Sequence, residues 1–168
     1  EVFLSTTLPF VVIVDRPFLD DEHTDSIASL RSLEADRVYL VSPFIDERED
    51  TVCLVAENIN KSLQLVEDLV KPNTLCLVLK QGETISKETL DRALLELSHS
   101  PPNLVISFLH QDLNYPSPYH HRLFRLGQGH RFNLTESDPS SWQHLQHQQG
   151  KLTQIYLPQA EIEVIPSC

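Results

Sequence analysis

Short apolar runs alternate with helix-patterned segments, and this alternation constrains the fold more than any other feature of the sequence. Residues 8–14 and 37–45 are runs of apolar, largely β-branched side chains, while residues 60–70 and 86–98 place apolar side chains at helical spacing. Strands that are apolar on both faces, joined by helices, are typical of a parallel sheet covered by helices. The sequence therefore predicts an α/β fold with a mixed, largely parallel sheet flanked by helices.

The predicted elements follow one another along the first two thirds of the chain, and a polar region then follows. The polar region covers residues 111–149, and such segments often carry a site. Two late strands are predicted to pair antiparallel. The predicted strands lie at 8–14, 37–45, 52–56, 75–79, 104–109, 122–126, 132–134, 152–157 and 162–165, and the predicted helices lie after Asp20, at 60–70 and at 86–98.

The length of the chain, 168 residues, matches one domain with one hydrophobic core. Because the sequence begins at Glu1 and contains no Met, we expect residues 1–168 to be a single domain cut from a longer protein. The longest apolar run is too short for the roughly 20 residues of a membrane span. No signal peptide is visible, so a cytoplasmic or nuclear location is expected.

The net charge of −11 is unevenly distributed along the chain. A polyanion would be repelled by the domain as a whole. Residues 113–135, however, contain Arg122, Arg125 and Arg131 together with three histidines, and no acidic residue. The sequence therefore predicts that a phosphodiester or another anion binds to this segment. The alternative is that these arginines only form a solvated surface.

Within this segment, His120 and Arg122 are two residues apart and would lie on the same side of a strand. A histidine can attack phosphorus, and an adjacent arginine can hold the phosphoryl oxygens. A hydroxyl of Thr135 or Ser137 could complete the anion pocket. The predicted site therefore has His120 and Arg122 as catalytic residues and Thr135, Ser137 and Arg125 as phosphate-binding residues.

The segment from His120 to Arg122, followed by Thr135-Glu136-Ser137-Asp138, resembles the signature of the phospholipase D superfamily, H-x-K with a downstream G-S/T-x-N. Residues 35–45 (ADRVYLVSPFI) are similar to a strand of that superfamily, and the similarity covers roughly residues 24–157. This resemblance implies a phosphodiesterase or nuclease that needs no metal or other cofactor. It also implies a half-site, so the chain would form a homodimer or pair with another domain.

Two other functions are compatible with the sequence. Arg122 replaces the lysine of the signature, and its downstream glycine and asparagine are missing, which favours a catalytically degenerate interaction or scaffolding module of a larger protein. The carboxylates Asp15, Asp20 and Asp21 follow the first predicted strand, where carboxyl groups can hold Mg²⁺. A Mg²⁺-dependent enzyme that uses these three residues is the second alternative.

Overall fold

The fold was established from a computed structural model that describes residues 9–15, 33–42, 51–80, 82–110, 119–132, 145–147 and 153–164. Ten strands and two helices lie within these ranges. The strands are β1 (Phe10–Asp15), β2 (Arg37–Ser42), β3 (Val52–Val55), β4 (Leu75–Lys80), β5 (Glu83–Thr84), β6 (Leu104–His110), β7 (Tyr119–Arg125), β8 (His130–Phe132), β9 (Leu145–His147) and β10 (Thr153–Val164), and the helices are α1 (Ile59–Leu69) and α2 (Lys87–Ser98).

Eight of these strands form one mixed sheet, in the order β3-β2-β1-β4-β7-β6-β10-β5. Strands β1, β2, β3, β4, β6 and β10 run parallel, whereas β7 runs antiparallel between β4 and β6, and β5 runs antiparallel to β10. A separate ribbon of β8 and β9 completes the described strands. The predicted fold class, a mixed and largely parallel sheet flanked by helices, is confirmed.

The core has two layers because successive strand residues point to opposite faces of the sheet. On one face, Val12 and Leu77 pack with Leu90 and Leu97 of α2. On the other face, Ile13 and Val78 pack among residues that include Ile59, Leu63 and Val66 of α1. Both layers are almost completely shielded from solvent. This explains why the central strands are apolar at every position rather than at alternate positions.

Side-chain caps fix where the two helices begin. The Asn58 side chain accepts a hydrogen bond from the backbone N–H of Lys61 at 3.0 Å, and the Ser86 hydroxyl accepts one from the N–H of Thr89 at 3.1 Å. Each cap satisfies a backbone donor that has no partner inside the helix. Both helices therefore begin within one residue of the positions that the sequence predicts.

The late strands differ from the prediction. Instead of two antiparallel strands at 152–157 and 162–165, one strand, β10, runs from Thr153 to Val164, parallel to β6. Its register with β6 shifts between Tyr156 and Glu161, and Pro158 falls within that irregular stretch. Proline has no N–H to donate to a neighbouring strand, and irregularities of this kind are where sheets accommodate it. The proline therefore interrupts the register and does not end the strand.

Strand β7 contains an irregularity at Arg122, a residue of the candidate site. Ile106 of β6 pairs with Leu123, and the next residue, Ser107, pairs with His121. Arg122 is thus the additional residue on β7, which makes it the centre of a β-bulge. Bulges redirect side chains and occur often beside functional sites.

Neither described helix is long and apolar enough to cross a membrane. The predicted helix after Asp20 lies outside the described residues.

Candidate functional site

Several polar residues meet at one edge of the sheet, where the parallel strands have their carboxyl ends. Strand β1 ends there with Asp15, β4 with Lys80 and β6 with His110. Because β7 runs in the opposite direction, its first residues, including His120, lie at the same edge. We call this the carboxyl edge.

A buried ion pair between Arg122 and Glu83 lies beside the carboxyl edge. The Arg122 side chain is 0% exposed and that of Glu83 is 4% exposed. The guanidinium donates from Nη1 to Glu83 Oε1 and from Nη2 to Oε2, the second over 3.0 Å, and Nη1 also donates to the carbonyl of Val78. The two-pronged contact between a guanidinium and a carboxylate is a strong and strictly oriented form of ion pair.

Two histidines extend the pair into what we call the Glu83 cluster, composed of Glu83, His110, His120 and Arg122. Nε2 of His110 lies 2.6 Å from Glu83 Oε2, and because a carboxylate accepts, this nitrogen donates. Nη2 of Arg122 lies 3.1 Å from Nδ1 of His120. The two imidazole rings stack with their centroids 4.6 Å apart.

The electrostatics of the cluster keep Glu83 charged. Burial by itself raises the pKa of this carboxyl, but the charge of Arg122 and hydrogen bonds from His110, Arg122 and the Lys80 N–H outweigh burial. Together they hold the pKa of Glu83 well below its usual range. The buried carboxylate therefore compensates the buried guanidinium.

The same surroundings keep His120 neutral. Burial and, to a smaller extent, the charges of Arg122 and His110 lower the pKa of His120 from its ordinary 6.5 to about 3. Since a guanidinium only donates, Nδ1 of His120 accepts, and the neutral ring carries its proton on Nε2. Nδ1 accepts from Arg122 and Nε2 carries the proton, so in this arrangement the imidazole offers no lone pair to attack phosphorus.

Arg125, a predicted phosphate-binding residue, lies at the end of α2. Its Nη2 donates to the carbonyl of Leu97 at 3.0 Å and to that of Ser98 at 3.5 Å. These carbonyls belong to the last turn of the helix, where the dipole favours a cation, and the Leu97 carbonyl also accepts from the Ser100 N–H at 3.2 Å. The position of Arg125 is explained by this capping role.

Replacing Arg125 by glutamine should lower the free energy of unfolding by about 1–3 kcal/mol, because buried carbonyls lose a charged donor. Urea denaturation measures the loss. Arg92 of the same helix is the matched control, since it is 54% exposed and its contact with Glu88 is 4.0 Å long. Arg92→Gln should change stability by less than about 0.5 kcal/mol. Equal losses for the two variants would contradict the capping role.

Arg131, the third arginine of the acid-free segment, also has an acidic partner. It forms two hydrogen bonds with Glu67 of α1, at 3.0 and 2.7 Å. The part of the segment that the structure describes, residues 119–132, thus has an acceptor for each of its arginines. Anion binding by this segment stays a prediction, but these contacts do not favour the arginines as its ligands.

The remaining predicted site residues do not all fall within the description. Thr135, Ser137, Asp20 and Asp21 lie outside the described residues. Asp15 is described, and it is 8% exposed at the end of β1. Across the described ranges, no group of three or more histidines, cysteines or acidic residues has an arrangement that could hold a metal ion.

Comparisons with known proteins found similar solved structures but no matching family. No family model matches the chain, and no curated protein matches it. Similar folds occur in a bifunctional IspDF from Campylobacter jejuni (11% identity, TM-score 0.46, 69% of this chain and 38% of that chain) and a nucleotidyl transferase from Methanothermobacter (10%, 0.46, 70% of each). A mannose-6-phosphate isomerase from Helicobacter pylori is also similar (9%, 0.47, 94% and 97%). At these scores the likenesses carry no information about activity.

The predicted resemblance to the phospholipase D superfamily is wrong. The similar structures are a bifunctional IspDF, a nucleotidyl transferase and a mannose-6-phosphate isomerase, and no phospholipase D is among these three. The geometry gives the physical reason, because Arg122 is the bulged residue of β7 and its guanidinium is bound to Glu83. The expectation of a phosphodiesterase or nuclease that acts through His120 and Arg122, which depended on this resemblance, is wrong as well.

Sequence reasoning found half of the cluster and missed the other half. His120 and Arg122 were placed together, and they are in contact. Glu83 and His110 were missed, although they supply the charge balance. Glu83 lies 39 residues before Arg122 in a strand of two residues, where periodicity gives no signal. The position of His110 at the end of an apolar strand was the only available signal, because parallel strands place their ends at one edge.

Proposed function

We propose that the domain binds a phosphorylated small molecule of the nucleotide class at the carboxyl edge, between β1 and β4. The observation that supports this is the strand order. From β1 the chain continues to β2 and β3 on one side, and it then returns to place β4 on the other side of β1. Open α/β sheets bind ligands in the crevice at such a reversal, outside the carboxyl ends of the strands.

Two residues at the reversal have suitable chemistry. Asp15 and Lys80 are paired in the register of β1 and β4, and both extend the alternation that sends Ile13 and Val78 to the α1 face. The Lys80 ammonium suits phosphate oxygens, and the Asp15 carboxylate suits hydroxyl or amino donors of a sugar or base. A ligand with a phosphate at one end and a polar ring at the other would use both.

The proposal keeps the predicted anionic ligand but changes its protein partner. Strand β7 begins at the same edge, so the predicted segment contributes the wall of the crevice through Tyr119, which is 40% exposed. An exposed aromatic ring beside the crevice could stack on a base. The cation assigned to the phosphate is Lys80, while Arg122 stays with Glu83.

Titration calorimetry with ADP, GDP, UDP and CDP, each with and without Mg²⁺, tests the proposal. At least one nucleotide should bind, and Lys80→Gln should weaken its binding by about 1.5–3 kcal/mol, the contribution of one hydrogen bond to a charged group. The arms without Mg²⁺ show whether the phosphate also needs a metal.

Lys87→Gln is the matched control for this experiment. Lys87 begins α2 and lines a groove with Phe10 and Leu75, the first residues of β1 and β4, so it lies at the opposite edge of the sheet. Its substitution should leave nucleotide binding unchanged. The proposal fails if no nucleotide binds, or if the two lysine variants weaken binding equally.

A further inference from the structure

Exposed apolar side chains gather where the sheet order ends at β3. Within the described residues, seven large apolar side chains are exposed, and four of them belong to β3 or α1. Val52 and Val55 on β3 are 37% and 57% exposed, and Leu65 and Leu69 on α1 are 40% and 59% exposed. Val52 and Val55 are three residues apart on a strand and point to opposite faces of the sheet, but Val55 and Leu65 line one groove, and Leu69 lies about one helical turn from Leu65. Scattered exposed apolar residues are ordinary, but apolar residues that lie together in this way mark an interaction surface. We call Val55, Leu65 and Leu69 the β3–α1 patch.

A shallow groove crosses the patch between β3 and α1. It has a volume of about 370 Å³, and Val55, Lys61, Leu65 and Asp68 are among its lining residues. Lys61 and Asp68 are both exposed, and neither forms an ion pair with any described residue. Glu57 also lines the groove and is exposed, so the groove has an apolar centre, one cation and two carboxylates.

The positions of Lys61 and Asp68 make the surface around Leu65 complementary to itself. Lys61 lies about one helical turn before Leu65, and Asp68 lies about one turn after it. If two copies of α1 pack antiparallel with Leu65 near a two-fold axis, Lys61 of each copy faces Asp68 of the other. Such an isologous contact repeats each interaction twice and closes after two copies.

We infer that the β3–α1 patch is the interface of a two-fold dimer of this chain. The two leucines and Val55 would supply the buried apolar centre, and the two Lys61–Asp68 pairs would fix the antiparallel orientation at the rim. This interface lies at the β3 end of the sheet, so it is independent of the nucleotide proposal. It also differs from the homodimer that the phospholipase D resemblance implied, which would need His120 of the half-site to be accessible, because His120 is buried.

Sedimentation equilibrium over a range of protein concentrations tests this inference with charge-swap variants. Wild type should be dimeric, and Lys61→Asp alone or Asp68→Lys alone should raise the dissociation constant about tenfold, because each creates two like-charge contacts. The double variant Lys61→Asp/Asp68→Lys should return the constant to near the wild-type value. All these positions are exposed, so the variants should fold, and circular dichroism checks this.

Two further variants complete the design. Leu65→Asp should make the protein monomeric, whereas Leu95→Asp, at a 61% exposed leucine on α2, should leave it dimeric. A monomeric wild type would overturn the inference. A dimer that withstands Leu65→Asp, or a double variant no tighter than the single ones, would overturn it as well.

Discussion

Replacing Glu83 by glutamine is expected to lower the free energy of unfolding by about 3–5 kcal/mol, which is the usual cost of leaving a buried charge without its partner. The Arg122 guanidinium is completely buried and would lose both of its bonds to a carboxylate. Glutamine has nearly the same shape, so the loss would report the missing charge rather than a cavity. Urea denaturation measures it.

Glu67 provides a matched control, because it also forms a two-pronged pair with an arginine, Arg131. Those two side chains are about one-fifth exposed, at 19% and 21%, so Glu67→Gln should cost only about 1 kcal/mol. The double variant Glu83→Leu/Arg122→Met should recover much of the loss, because an apolar replacement removes both charges together. If Glu83→Gln costs no more than Glu67→Gln, the Glu83 cluster does not hold the carboxyl edge together.

The second large effect concerns acidity. His120 should make the folded state lose stability as the pH falls below 6.5. Its pKa in the folded state is about 3, against an ordinary 6.5, so between these values the unfolded chain binds a proton that the folded chain does not. Stability then rises with pH by up to about 1.4 kcal/mol per pH unit from this residue. Its contribution is fully present above pH 6.5 and declines as the pH approaches 3.

Urea denaturation at pH 7.5, about 6.0 and about 5.0 measures this slope in a range where His120 titrates in the unfolded chain. Glu83 also has a lowered pKa, but its contribution is lost only below its ordinary value of 4.5, outside this range. In His120→Gln the slope of stability against pH should decrease by most of the amount that one bound proton contributes. His99→Gln, at an exposed histidine, should keep the wild-type slope. An unchanged slope in His120→Gln would show that His120 is protonated in the folded protein.

The sequence predicted the sheet better than the site, and the reason is physical. Burial on both faces of a central strand demands an apolar residue at every position, so runs such as the one in β1 are visible without knowledge of their neighbours. The cluster depends instead on contacts between distant segments. A bulge at Arg122 and the short strand at Glu83 leave no periodic trace, so the two-residue spacing of His120 and Arg122 suggested a strand face open to a ligand.

The position of β7 also has a consequence for how the chain can assemble. In the described sheet, β7 occupies the slot between β4 and β6, although it follows both in the chain. During synthesis, β1 to β4 can pair as soon as they emerge, but β6 has neither of its sheet neighbours, β7 and β10, until more than ten further residues have been made. The edges of β4 and β6 that pair with β7 therefore stay unpaired until β7 has been made. During this interval the nascent domain is most exposed to mispairing with another chain.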